Sequence, residues 1–122
     1  MVLMDILKFK TMLTDNVISP MLQFMQEWED DCEFTKKDIQ KCEVILAQYL
    51  DSLASLSTPT DKEIMKCVKK AVLALNKLNE KTDYALLETE ERENIWELIQ
   101  FSAIDCGLQN PSDDITEEWR EW

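Results

Sequence analysis

A single glycine, Gly107, in a chain of 122 residues is the strongest constraint on the fold. Tight β-hairpin turns favour glycine because their central residues adopt positive φ, and phosphate-binding loops need several glycines. The chain therefore has little material for a sheet with several hairpins and none for a glycine-rich nucleotide loop. Only three prolines are present, which leaves long segments free to form helices.

Apolar residues recur at spacings of three and four along most of the sequence, which is the pattern of one face of an α-helix. The clearest stripes lie within 39–53 and 64–78. The residues Thr-Asp-Lys-Glu at 60–63 match a capping box, and Gly107 follows a further helical segment as a left-handed stop. We predict one all-α domain over 1–122, folded as an antiparallel bundle of four to five helices.

Three details of the bundle can be predicted from local signals. Ser19 and Pro20 match an N-cap followed by a first helical residue, which leaves open one kinked helix or two separate helices. Thr89 is a candidate N-cap for the last long helix. The segment 108–122 is expected to be a docked C-terminal tail or a short helix with Trp119 on its inner face, because two exposed tryptophans would reduce solubility.

The net charge of −12 arises from 25 acidic and 13 basic residues, and the acids are unevenly placed. Residues 27–33 contain five acids and no base, whereas 84–122 contain eleven acids and two arginines. The segment 34–83 is mildly basic, and the lysines on the predicted helix that follows Thr60, within 62–77, are interpreted as a solvated face. No nucleic-acid partner is expected, because phosphates require a Lys/Arg surface. An acidic surface favours a basic protein partner, with solubility alone as the alternative explanation.

The chain has no histidine, so imidazole bases, Ser–His and Cys–His pairs and histidine metal sites are all excluded. No C-x-x-C motif is present, and no cofactor is expected. The four cysteines are predicted to be free thiols within helices, mostly buried: Cys32, Cys42, Cys67 and Cys106. Neither a signal peptide nor a membrane-spanning run is expected, and the predicted location is the reducing cytoplasm.

Carboxylates are the only catalytic groups that the composition offers in number. All-α phosphohydrolases hold Mg²⁺ between helices with E-x-x-E pairs, because residues i and i+3 share a face. Pairs of this kind occur here, such as Glu88 with Glu91 and Glu118 with Glu121, but not in the order and spacing of such a site. We therefore predict no catalytic residue and no enzyme. A carboxylate–Mg²⁺ phosphohydrolase is the alternative from another class, and a structural or adaptor bundle is a third.

Two acidic segments also contain tryptophan, although helix stability requires acids in neither place. The first lies at a predicted helix end, where the helix dipole disfavours negative charge, and the second lies at the C-terminus. A solvated helix end with its tryptophan in the core is the structural alternative for the first segment. The residues predicted to bind a basic protein partner are Glu27, Trp28, Glu29, Asp30, Asp31, Glu33, Asp113, Asp114, Glu117, Glu118, Trp119, Glu121 and Trp122.

Three segments near the C-terminus carry a resemblance to known proteins. They are LLETEERE at 86–93, AIDCGL at 103–108 and DITEEWREW at 114–122. Together they resemble a group of small acidic helical bacterial proteins of unassigned chemistry, over about the last third of the chain. The resemblance implies an immunity protein that neutralises a toxin, and it carries over no functional residue. The oligomeric state stays open.

Overall fold

The computed structural model describes residues 4–122, and that part of the chain is helical with no β-strand. The predicted all-helical fold is confirmed. Its elements are α1 (Ile6–Met12), a π-helical segment (Leu13–Ile18), α2 (Ser19–Glu27), α3 (Lys36–Ala54), α4 (Asp61–Lys81) and α5 (Thr89–Cys106). Because α1, the π-helical segment and α2 follow each other without a break, the described chain forms four helical rods.

The π-helical segment shows that the N-terminal rod continues through Pro20 and does not divide into two separate helices. The Ser19 amide donates to the Thr14 carbonyl, five residues back, so the turn before the proline is one residue wider than an α-turn. Proline has no N–H group, and inside an α-helix its ring collides with the carbonyl of residue i−4. The wider turn accommodates this proline, and the rod continues. The predicted N-cap role of Ser19 is wrong, because Ser19 has helical φ and ψ within the rod.

Polar side chains mark the starts of α3 and α4. Thr35 and Asp38 form a complete capping box: the Asp38 amide donates to Thr35 Oγ1 at 3.3 Å, and the Thr35 amide donates to Asp38 Oδ2 at 2.9 Å. At α4, Thr60 Oγ1 accepts from the Glu63 amide at 3.2 Å, so Thr60 is the N-cap, but the return bond of the predicted capping box, from the Thr60 amide to the Glu63 carboxylate, does not form. The α5 helix begins at Thr89 itself, with Glu88 at the N-cap position, so the predicted N-cap was one residue late.

The apolar stripes pack into one core. Tyr49 of α3 is buried in it, and its hydroxyl donates to the Ile99 carbonyl of α5 at 2.9 Å. The buried residues of α3, α4 and α5 include most of those on the predicted faces: Ile39, Cys42, Leu46, Leu50, Leu53, Ile64, Val68, Ala71, Val72, Leu75, Leu78, Ile95, Leu98, Ala103 and Cys106.

The C-terminal segment 108–122 lies against α4 and α5 without forming an α-helix. Two buried amide side chains hold its backbone. Asn76 donates to the Trp119 carbonyl at 2.8 Å and accepts from the Glu121 amide at 3.0 Å. Gln100 donates to the Ser112 carbonyl at 2.9 Å and accepts from the Ile115 amide at 3.0 Å. Each amide therefore satisfies one backbone donor and one backbone acceptor of a segment that has no regular structure of its own.

The cysteines differ more in burial than the sequence suggested. Cys42 and Cys106 are buried, whereas Cys32 and Cys67 are partly exposed. Burial raises the pKa of the Cys42 thiol to about 12. The predicted helical position of Cys32 is wrong, because α2 ends at Glu27, five residues earlier.

We predict that replacing Asn76 or Gln100 by alanine lowers the free energy of unfolding by about 1–3 kcal/mol in each case. Each substitution leaves two backbone groups of the C-terminal segment without their partners. Urea unfolding followed by circular dichroism measures the change. Gln26→Ala, at an exposed position of α2, is the control and should change stability by less than about 0.5 kcal/mol. Equal effects of all three substitutions would contradict the prediction.

We also predict two classes of thiol reactivity. Cys32 and Cys67 should react with a thiol reagent in the native protein, whereas Cys42 and Cys106 should react slowly until the protein is denatured, because burial withholds them from the reagent. Peptide mapping after timed labelling measures each rate. Labelling of native Cys42 at the rate of Cys32 would show that the core at α3 is open.

Candidate functional site

The candidate site forms where the end of α2 meets the start of α5. The α2 helix ends because Trp28 leaves helical geometry, at φ −119° and ψ 38°. The Asp31 amide then donates to the Trp28 carbonyl at 2.9 Å, which closes a tight turn. This turn keeps the acidic residues 29–31 on the surface next to the helix end.

The start of α5 is fixed by the connection from α4. Asp83 and Tyr84 both adopt positive φ, at 55° and 64°, and reverse the chain. The buried Asn79 holds this reversal: its carbonyl accepts from the Tyr84 amide at 2.7 Å, and its side-chain oxygen accepts from the Leu87 amide at 3.0 Å. Since Leu87 is buried, the next residue, Glu88, emerges at the surface at a defined place.

Three aromatic rings lead from the core to the surface at this place. Phe34 is buried, Phe24 is 40% exposed and Trp28 is 53% exposed. The ring centroids of Phe24 and Phe34 lie 5.9 Å apart in a stacked arrangement, and those of Phe24 and Trp28 lie 6.3 Å apart. Phe34 therefore supports Phe24 from beneath, and Trp28 extends the apolar contact outward.

Acidic residues from both helices surround these rings. Two shallow depressions, of about 230 and 200 Å³, share Phe24 and Glu91 as lining residues, and neither is lined by a lysine or arginine. We call the whole patch the acidic aromatic surface, and it consists of Phe24, Glu27, Trp28, Asp31, Glu33, Glu88, Glu90 and Glu91.

The pKa of Glu91 reflects the partial burial of its carboxyl group and the negative charge of this surface. Its pKa is raised above the ordinary glutamate value, first by partial burial and then by the negative charges of Glu88 and Glu90. A hydrogen bond to its own backbone amide acts in the opposite direction but does not cancel these effects. A positive charge placed in the depression would stabilise the ionised Glu91 carboxylate and so offset both the partial burial and the repulsion.

The predicted partner-binding residues within 27–33 are all exposed. Glu27 is the last residue of α2, and Glu29, Asp30, Asp31 and Glu33 are exposed in the turns that follow. Trp28 is exposed as well, so the alternative in which its side chain is part of the core is wrong.

The predicted partner-binding residues within 113–122 are partly structural and partly exposed. Trp122 is buried, and Trp119 is half-buried with the Lys69 ammonium 5.9 Å from its ring centroid. Asp114 accepts hydrogen bonds from the Thr116 amide and hydroxyl and forms an ion pair with Arg120 at 2.6 Å. The residues left exposed are Asp113, Glu117, Glu118 and Glu121.

Glu88, Glu90 and Glu91 are site residues that the sequence did not identify. Their position at the N-cap and in the first turn of a helix is explained by the helix dipole alone, so they carried no functional signal. Phe24 was not identified from the sequence either. An exposed aromatic cannot be separated from a core aromatic by spacing, because both recur with the helical period.

Within residues 4–122, no group of three or more Cys, Asp and Glu side chains is arranged to hold a metal ion. No helix of that part combines the length and apolar character needed to cross a membrane. No protein-family model, curated protein or solved structure matches the chain.

We predict that Glu91→Gln raises the free energy of unfolding at neutral pH. The folded protein holds the Glu91 proton more tightly than the unfolded chain, in which the pKa lies near 4.5. The ionised carboxylate therefore costs stability above that pH, and the cost disappears as the pH falls through the raised folded-state pKa toward 4.5. Thermal unfolding of both proteins between neutral and acidic pH measures the difference.

Glu93→Gln is the control for this prediction, because Glu93 is an exposed carboxylate on the same helix. It should give a smaller change at neutral pH. A stabilisation by Glu91→Gln that is the same at every pH would show that charge is not its cause.

Proposed function

We propose that this chain is a non-catalytic binding protein that neutralises a basic protein partner through the acidic aromatic surface. The observation that supports it most is the convergence of acids from two separate helices around the exposed rings of Phe24 and Trp28, with no basic residue lining either depression. In its most concrete form the proposal is an immunity protein that inhibits a bacterial toxin in the cytoplasm. The resemblance of the last third of the chain to small acidic helical bacterial proteins of unassigned chemistry is consistent with it.

The chemistry of the surface suits a lysine or arginine side chain of the partner. Such a side chain has an apolar stem, which can lie on Phe24 and Trp28, and a cationic head, which can reach Glu91 and its neighbours. Glu91 favours this arrangement because its charge is partly desolvated before the partner arrives. The free protein thus already bears part of the desolvation cost that a buried ion pair requires.

The proposed mechanism is occlusion of a cationic cleft. An enzyme that acts on phosphate-rich substrates lines its cleft with lysine and arginine, and the carboxylates of the acidic aromatic surface would occupy the positions of the phosphates. The net charge of −12 would attract such a partner over a distance and raise the association rate. The aromatic rings would then supply the short-range contact that slows dissociation.

The acids of the C-terminal segment have a different role in this proposal. Asp113, Glu117, Glu118 and Glu121 are exposed and add to the long-range attraction. Asp114, Trp119 and Trp122 would serve mainly to keep the segment docked, since their side chains are already engaged or buried.

The helices of the proposed binding protein run antiparallel to their neighbours. The lining of two clefts between α3 and α4 supports this order for that pair: residues 37–45 lie beside 77–81, and residues 45–52 lie beside 66–74.

We predict that tagged wild-type protein retrieves a basic protein from its native cell and that Asp31→Lys/Glu88→Lys does not. This double variant reverses one charge in the turn after α2 and one at the N-cap of α5, and exposed charges contribute little to stability. Quantitative mass spectrometry identifies the partner, and calorimetric titration with that partner should show an affinity at least about tenfold lower. Trp28→Ala should weaken binding by about 2 kcal/mol while the protein stays folded.

Two matched controls accompany these variants. Glu117→Lys/Glu118→Lys makes the same change in net charge on the C-terminal segment, and Phe101→Ala removes an exposed aromatic of α5. Both should reduce affinity much less than the variants of the acidic aromatic surface. If all variants bind equally with helicity retained, the acids serve solubility and the proposal fails.

A further inference from the structure

A second surface has the opposite character. Two contiguous clefts of about 400 and 530 Å³ meet at Ile45 and run along the outside of α3 and α4. We call them together the α3–α4 groove. The groove is lined mainly by apolar and small residues flanked by lysines: Lys37, Lys41, Val44, Ile45, Gln48, Ser52, Lys66, Cys67, Lys70, Ala71, Ala74, Lys77, Leu78 and Lys81.

Positive charge is concentrated in this groove although the chain as a whole is strongly acidic. Six of the lining residues are lysines, and none of the six forms an ion pair with another described residue. Four of the lysines line one end of the groove: Lys37, Lys41, Lys77 and Lys81. Contact with Lys81 lowers the pKa of Lys41. Clustered ammonium groups that form no ion pair are suited to an acidic occupant.

The spacing of the lining residues is that of a helix-packing seam. On α4 the floor residues Cys67, Ala71, Ala74 and Leu78 recur at intervals of four, three and four, as a and d positions do in coiled coils. Lys41, Ile45, Gln48 and Ser52 repeat the same intervals on α3. Small side chains on the floor let another backbone approach closely, so the groove fits an α-helix with acidic flanks.

One helix of this chain has such a face. The outer side of α5 exposes Phe101 and Ile104, at 48% and 43%, and the ring of Trp96 lies 6.4 Å from that of Phe101. Glu93 and Glu97 precede these residues on the same side, with intervals of four, four and three along the stripe. The outer face of α5 is thus acidic in its first half and apolar in its second half.

The two surfaces also match along their length. Glu93 and Phe101 are eight residues apart, which is about 12 Å along a helix. Lys81 at the four-lysine end and Ala71 in the apolar part of the groove are ten residues apart, which is about 15 Å. A docked helix can therefore place its acids among the lysines and its apolar residues over the small side chains at the same time.

We propose that the α3–α4 groove of one copy binds the outer face of α5 of a second copy. The contact is head-to-tail, because each copy offers a different surface to its neighbour, and an assembly that does not close into a ring keeps a free groove at one end. One helix face in one groove buries less area than a standard interface, so the association is weak. Repulsion between the acidic chains is limited at physiological salt, where charges more than about 8 Å apart are largely screened.

Self-association of this kind would also affect the proposed partner site. Glu90 and Asn94 line a depression of the acidic aromatic surface and lie on α5 close to Glu93. A copy docked on α5 would cover this edge, and partner binding would compete with assembly. The self-association itself does not depend on the existence of a basic partner.

Analytical ultracentrifugation of the purified protein over a wide concentration range at physiological salt tests the proposal. Wild type should show reversible, concentration-dependent association. Lys41→Glu/Lys77→Glu, which alters the groove, and Glu93→Lys/Glu97→Lys, which alters α5, should each lower the association constant at least about tenfold. Lys36→Glu/Lys62→Glu changes the net charge as the groove variant does, but both residues lie outside the groove. The association constant of this control should therefore be at least about tenfold higher than that of the groove variant.

Mixing the groove variant with the α5 variant separates a head-to-tail contact from a symmetric one. Each variant keeps the surface that the other has lost, so the mixture should associate at least about tenfold more strongly than either variant alone. Circular dichroism verifies that both variants remain folded. A wild type that is monomeric at every concentration, a dimer that neither variant weakens, or a mixture that remains monomeric would overturn the proposal.

Discussion

Three buried side-chain amides determine how the irregular parts of this chain lie on its helices. Asn76 and Gln100 pair with the backbone of the C-terminal segment, and Asn79 pairs with the connection from α4 to α5. A buried backbone group without a partner costs about 1–3 kcal/mol, so such a segment can dock only where partners already exist. By holding the connection, Asn79 also fixes where α5 begins and therefore where the acidic aromatic surface forms.

The parts of the fold that could be predicted from the sequence are those that local patterns control. The stripes of α3 and α4 follow from helical period, and Thr60 follows from capping chemistry. The position of Cys32 outside a helix was missed, because the apolar pattern continues to Cys32 whereas α2 already ends at Glu27. A short C-terminal helix was an alternative that the structure replaces with turns, since distant amides satisfy that backbone.

Only half of the candidate site could be predicted, for a physical reason. The acids of 27–33 are conspicuous because nothing local requires them, whereas Glu88, Glu90 and Glu91 fit the start of any helix. Their connection to Phe24 depends on how α2 and α5 pack, which no local pattern contains. The α3–α4 groove was missed in the same way: lysines on two separate helices each suggest a solvated face, and only their convergence forms a basic cleft.

The π-helical segment has a consequence for the direction of the aromatic side chains. Each residue of an α-helix turns the next side chain by about 100°, so one additional residue in the wide turn changes the angular phase of everything after it. Phe24 and Trp28 follow that turn on the same rod as Phe9, which is buried. The rod thus keeps Phe9 before the wide turn and Met21 after it in the core, while Phe24 and Trp28 near its end are exposed as the aromatic part of the acidic aromatic surface.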